Sequence, residues 1–87
     1  MAQFTAKVID KVGLHARPAS VLAKEASKFQ SDIKIKSDGK EGNLKSIMNV
    51  MALAIKSGAE ITIEAKGADE ADAIAAIEKA MKDNEII

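Results

Sequence analysis

His15 is the single histidine of the chain, and it stands in the run Gly13-Leu14-His15-Ala16-Arg17-Pro18. A histidine on its own is most often an ordinary surface or core residue, so its neighbours decide. Pro18 has no N–H and fits a helix only in the first turn. That puts His15 at or just before a helix N-terminus, where the N–H groups of Ala16 and Arg17 have no intrahelical acceptor. Free N–H groups at the positive end of a helix favour an anion. Arg17 adds a planar fork of donors matched to phosphate oxygens. A neutral imidazole is a nucleophile, and the same donors would steady a phosphoryl group once it arrived. These residues point to a reversible phosphoryl acceptor with His15 as the attacking group.

The rest of the chain argues against a self-sufficient enzyme. It has no cysteine and no second histidine from which to build a triad. It has neither a Walker nor a dinucleotide-binding glycine pattern. One histidine without a spaced carboxylate cluster gives no metal site, so neither metal nor cofactor is expected. A carrier needs only one nucleophile, because its partners can supply the remaining transition-state machinery.

A second segment bears on partners. Ser46 precedes the run from Ile47 to Ile55, which is apolar at every position but Asn49. Serine is a good N-cap. A phosphate there would be held locally by the helix start and would put negative charge at the edge of the apolar run. A chain this small cannot surround a helix that is apolar on all sides. Ile47, Met48 and Met51 are therefore expected to be exposed in part, as a docking patch whose methionines suit several partner shapes. Lys24 lies about two helical turns beyond the His15 end of the first helix, which makes it a candidate partner contact.

The elements that must position these residues follow from periodicity. Phe4, Ala6 and Val8 alternate with Thr5 and Lys7, as in a strand with one buried face. Gly13 ends that strand, and a helical pattern runs from Ala16 to Phe29 with Pro18, Leu22, Ala26 and Phe29 on one face. Ile33 and Ile35 form a second strand, Asp38-Gly39 a hairpin turn, and Lys40 to Asn43 a short third strand. A helix follows Ser46 along the apolar run. Gly58 closes that segment before a fourth strand through Ile61, Ile63 and Ala65. Asp69 can cap a last helix carrying Ile74, Ile77 and Met81. The order β-α-β-β-α-β-α predicts an α+β layer, with one sheet, helices on one face and the other face toward solvent.

Composition narrows the class further. The 87 residues suit one domain, 1–87. Only 2% of residues are aromatic, so the core must be aliphatic. Phe4 and Phe29 cannot supply the stacking face of an RNA-binding sheet. Thirteen basic residues balance thirteen acidic ones, which gives no bulk attraction to nucleic acid or membrane. No apolar stretch is long enough to cross a bilayer. The start Met1-Ala2-Gln3-Phe4-Thr5 has no signal-peptide pattern. The expectation is a soluble cytoplasmic domain.

Gly13-Leu14-His15-Ala16-Arg17-Pro18-Ala19-Ser20 resembles the active-site signature of the HPr family. Asn43-Leu44-Lys45-Ser46-Ile47-Met48-Asn49-Val50-Met51 resembles that family's second signature, around a regulatory serine. The spacing between them, the strand Gly58-Ala59-Glu60-Ile61-Thr62-Ile63 and the length also match. The resemblance implies an open-faced β-sandwich, a four-stranded antiparallel sheet with three helices on one face. It implies a phosphocarrier of the phosphoenolpyruvate:sugar phosphotransferase system. Such a carrier takes a phosphoryl group at His15 Nδ1 from enzyme I and passes it to enzyme IIA domains of sugar permeases. Arg17 is then the phosphate-assisting arginine, and Ser20, Lys24, Ile47, Met48 and Met51 form the docking surface. Ser46 is similar to the target of HPr kinase/phosphorylase in Gram-positive-type bacteria, where the serine-phosphorylated form binds a catabolite-control transcription factor. Asn49 stands where many such relatives have glycine. Purely regulatory relatives that act through Ser46 lack the active histidine, so His15 argues against that alternative. A monomer is expected, because transient docking needs a free patch.

Overall fold

Alternation along three of the four strands separates an inward apolar face from a polar one. A computed structural model describes residues 1–87. Its elements are β1 (Ala2–Lys7), α1 (Ala16–Ala26), β2 (Asp32–Ser37), β3 (Lys40–Asn43), α2 (Ile47–Ala52), β4 (Glu60–Lys66) and α3 (Glu70–Asp83). The sheet order is β1-β4-β2-β3, and every neighbouring pair is antiparallel. Both the order of elements and the open-faced α+β architecture agree with the expectation. No helix is long and apolar enough to cross a membrane.

Ile33, Ile35, Ile61, Ile63 and Ala65 form the buried face of the sheet. They share one core with Leu22 and Ala26 of α1, Val50 of α2, and Ala73, Ile77 and Met81 of α3. Burial of each Ile, Leu, Val or Met side chain among them contributes about 1.5–3 kcal/mol. The opposite face is polar and cross-linked. Thr5 and Thr62 share a hydroxyl hydrogen bond of 3.0 Å across the β1–β4 pair, and Lys36 Nζ lies 2.9 Å from Glu64. Ile86, buried after the end of α3, anchors the C-terminal turn, where its carbonyl accepts from Ile9 N–H at 2.8 Å.

Both shorter helices end before their apolar patterns do. α1 stops at Ala26 rather than Phe29. The Ser27 hydroxyl donates to the Ala23 carbonyl at 2.7 Å, and the N–H groups of Lys28 and Phe29 turn to Glu25 and Ala26, three residues back. This tightened exit still lets Phe29 pack on the core. Its carbonyl accepts from Lys45 Nζ at 2.8 Å, so that lysine is a tie rather than a free surface charge. α2 stops at Ala52, and Ala54 takes a left-handed φ of 51°. Ile55 is therefore buried as loop, with its carbonyl turned toward the backbone of Leu14.

Asp69 occupies the N-cap position of α3 but does not cap it with its side chain. Its carboxylate accepts from Gln30 N–H at 2.9 Å and Ser31 N–H at 3.0 Å, and from the Ser31 hydroxyl. The Ser31 hydroxyl and the Gln30 N–H hold the Asp69 carboxyl below its ordinary value. The cap position was legible in the sequence, whereas the partner across the fold was not.

Candidate functional site: a histidine at a helix start

The backbone of His15 is extended, with φ −88° and ψ −167°, and its carbonyl accepts the first bond of α1, from Ala19 N–H at 3.0 Å. Its side chain makes no capping bond. The N–H groups of Ala16 and Arg17 donate to no backbone carbonyl, and Pro18 has none to offer. The helix start therefore presents two unengaged donors beside the imidazole, in the place that Pro18 dictated.

The loop before it is held from behind. Leu14 is buried, and its N–H donates to the Ile55 carbonyl at 2.9 Å. Gly13 has φ +84°, and the α2–β4 segment runs directly against it. A Cβ at Gly13 would lie 2.4 Å from the Ile55 oxygen and 2.9 Å from Lys56 Cα. Only glycine permits this approach. The close backbone contact fixes where His15 emerges.

The imidazole is 36% exposed, and its Nε2 lies 3.6 Å from Asp10 Oδ1. That same carboxylate oxygen accepts from Val12 N–H at 2.9 Å. Asp10 lies outside the Gly13–Pro18 motif that marks the site in the sequence. Its signal was local: an aspartate whose side chain can bond the backbone two residues on, just before a glycine. Arg17 is exposed and forms no ion pair with a carboxylate. Ser20 and Lys24 are exposed further along the same helix.

Ser46 caps α2 as expected. Its Oγ accepts from Asn49 N–H at 3.2 Å and from Asn49 Nδ2 at 3.1 Å. Asn49 Oδ1 in turn accepts from Asn43 N–H at 3.4 Å. Within α2, Val50 is buried while Ile47, Met48 and Met51 are 41%, 81% and 45% exposed. The apolar helix thus leaves a surface patch, and α2 packs against α1, the helix that begins at His15.

Known proteins share both fold and chain. A family model described as "PTS HPr component phosphorylation site" matches residues 2–83. The phosphocarrier protein HPr of Mycoplasma capricolum is 66% identical over 87 residues, spanning 100% of this chain and 98% of that protein. The solved histidine-containing phosphocarrier protein of Mycoplasma superposes with a TM-score of 0.97 at 65% identity, covering 99% of this chain and 98% of that one. Crh of Bacillus subtilis, a catabolite-repression protein described as a domain-swapped dimer, is 40% identical with a TM-score of 0.75, covering 100% and 99% of the two chains. The class is that of a phosphocarrier of the phosphotransferase system. Within that class, the chain belongs to the HPr family.

Proposed function

We propose that His15 takes a phosphoryl group at Nδ1 from phosphorylated enzyme I and gives it to enzyme IIA domains of sugar permeases. The observation that carries this reading is a half-exposed imidazole beside two unengaged N–H groups at one helix start. The Nδ1 lone pair attacks phosphorus, the new N–P bond forms as the bond from phosphorus to its donor atom on enzyme I breaks, and that donor atom keeps the electron pair. The N–H groups of Ala16 and Arg17 and the Arg17 guanidinium receive the phosphoryl oxygens. The chain is thus a protein substrate of its partners, not an enzyme, and it uses no cofactor.

Ser20, Lys24, Ile47, Met48 and Met51 form the docking surface for both partners. Ser46 is a second, regulatory phosphorylation site for HPr kinase/phosphorylase, and its phosphorylated form is the one a catabolite-control transcription factor reads. The protein works as a single domain of residues 1–87, in the cytoplasm and as a monomer. It inserts into no membrane and contacts no nucleic acid directly. Sedimentation at working concentration checks the monomer against the swapped dimer described for Crh.

The test of carriage is incubation with enzyme I, phosphoenolpyruvate and Mg²⁺, followed by ³¹P and imidazole NMR. The expected result is an acid-labile phosphorus signal on Nδ1 that is absent from His15→Ala. No phosphorylation of the folded chain by an active cognate enzyme I overturns the reading. The likeness to Crh favours a second reading in that event, with Ser46 as the working site.

A further inference from the structure

We infer that Asp10 is the positioning residue of the His15 ring, holding Nε2 as its protonated nitrogen and leaving Nδ1 bare for attack. The inference rests on the carriage reading above and assigns a role to a residue outside the motif.

A neutral imidazole carries one proton, and the nitrogen that attacks must be the one without it. The ring therefore needs an acceptor on the side that does not react. Asp10 Oδ1 stands 3.6 Å from Nε2, and Asp10 is the only carboxylate paired with His15. The carboxylate is not a free arm. Val12 N–H donates to the same oxygen at 2.9 Å, and Gly13 N–H donates to the Asp10 carbonyl at 3.0 Å. The turn from Asp10 to Gly13 thus aims the carboxylate at the ring, and the Gly13–Ile55 contact fixes that turn against the body of the protein. The separation is slightly beyond hydrogen-bond length, as is common for reacting groups before their partner arrives.

Charge development gives the arrangement its use. When Nδ1 attacks phosphorus, the ring changes from neutral to cationic and keeps its proton on Nε2. A carboxylate at Nε2 attracts that cation more strongly than the neutral ring, so it favours the transition state over the resting state. The two ends of the site then divide the work. The N–H groups of Ala16 and Arg17 meet the phosphoryl oxygens, and Asp10 meets the positive charge on the far nitrogen. When the group leaves, the ring returns to neutral and the same contact restores the starting tautomer.

The test uses the full chain with Asp10→Ala and Asp10→Asn. Asparagine keeps an oxygen for Val12 N–H and removes the charge, so it separates turn geometry from electrostatics. Long-range ¹H–¹⁵N spectra of the His15 ring read the tautomer without any partner. The expected result is a larger Nδ1–H share in Asp10→Ala than in the wild type. Single-turnover transfer from phosphorylated enzyme I should fall by roughly 10-fold in Asp10→Ala and less in Asp10→Asn, with KM unchanged. An unmoved tautomer ratio, or a transfer rate within about twofold of wild type, overturns the role of Asp10 while carriage stands. A wild-type chain that takes up no phosphoryl group overturns carriage itself, before any variant is compared.

Discussion

Replacing Gly13 with alanine isolates the contact that sets the position of His15. Two penalties act there. The first is conformational, because φ is +84°, and a side chain in the left-handed region costs about 1–2 kcal/mol. The second is steric. The new Cβ would meet the Ile55 oxygen at 2.4 Å, and ordinary contact begins at 3.4 Å, so the two segments must part by about 1 Å. That movement breaks the 2.9 Å bond from Leu14 N–H to the Ile55 carbonyl, a loss of about 1 kcal/mol. Overpacking against backbone adds about 1–3 kcal/mol.

Gly58 provides the internal control. Its φ of +88° carries the same conformational penalty, but a Cβ there meets nothing within 4 Å. Gly58→Ala should cost about 1–2 kcal/mol and Gly13→Ala about 2–4 kcal/mol more. For a domain of this size that difference lowers the melting midpoint by roughly a further 10–30 °C. Thermal and urea unfolding followed by circular dichroism measures it, since the chain has no Trp or Tyr to report by fluorescence. At a temperature where both variants are folded, transfer to His15 should fall by ~10-fold or more in Gly13→Ala alone. Equal destabilisation by the two alanines, within about 1 kcal/mol, would refute the claim that the Gly13–Ile55 approach holds the loop.

Three further outcomes are expected. Asp69 has a folded-state pKa below its ordinary 3.8, so the folded chain binds that proton less readily than the unfolded chain. Its contribution is therefore complete above 3.8 and is lost as pH falls through the folded value; Asp69→Asn should flatten that part of the acid-unfolding curve. Ser46→Ala removes the acceptor for Asn49 N–H and should cost about 1 kcal/mol in urea unfolding, whereas Ser46→Asp keeps a cap and should cost only a few tenths. Met48, 81% exposed, should tolerate Met48→Ser within about 0.5 kcal/mol, while KM for phosphorylated enzyme I rises by roughly 5-fold and kcat holds.

What was legible in the sequence was whatever local chemistry decides. Pro18 placed His15 at or just before the start of α1, because a missing N–H is tolerated only in the first turn of a helix. Ser46 announced α2 for the same kind of reason, and alternation gave β1, β2 and β4 their inward faces. The β2–β3 pair was legible from its Asp38-Gly39 turn, but the other strand neighbours were not, since β1 pairs with β4 across more than fifty residues and periodicity reports a face without naming a partner. Helix ends were legible only in part. The apolar spacing continues past Ala26 and Ala52, but the Ser27 hydroxyl and the left-handed Ala54 end the helices there. Asp69 and Asp10 show the same limit in the site and its supports. Each was readable as a local turn or cap residue, and each finds its decisive partner only in three dimensions.

The placement of the clefts bears on why so small a chain can carry a reactive group. One cleft runs along β2 and β3, lined by Asp32, Lys34, Glu41 and Asn43, and another lies by the Asp38–Gly39 turn with Glu60 and Thr62. His15 and Arg17 line neither, although enzymes usually place reacting atoms in such concavities. For the proposed transfer, exposure is a requirement. Phosphorus must move between two proteins with the attacking and leaving atoms in line, so each partner has to approach over the ring from outside. A wall built by this chain would obstruct that approach. Exclusion of water then falls to the partner, and the apolar side chains of α2 beside α1 supply a surface against which a partner can seal. The free N–H groups of Ala16 and Arg17 remain compatible with a stable fold because they lie at an exposed helix start, where water satisfies them until an anion arrives.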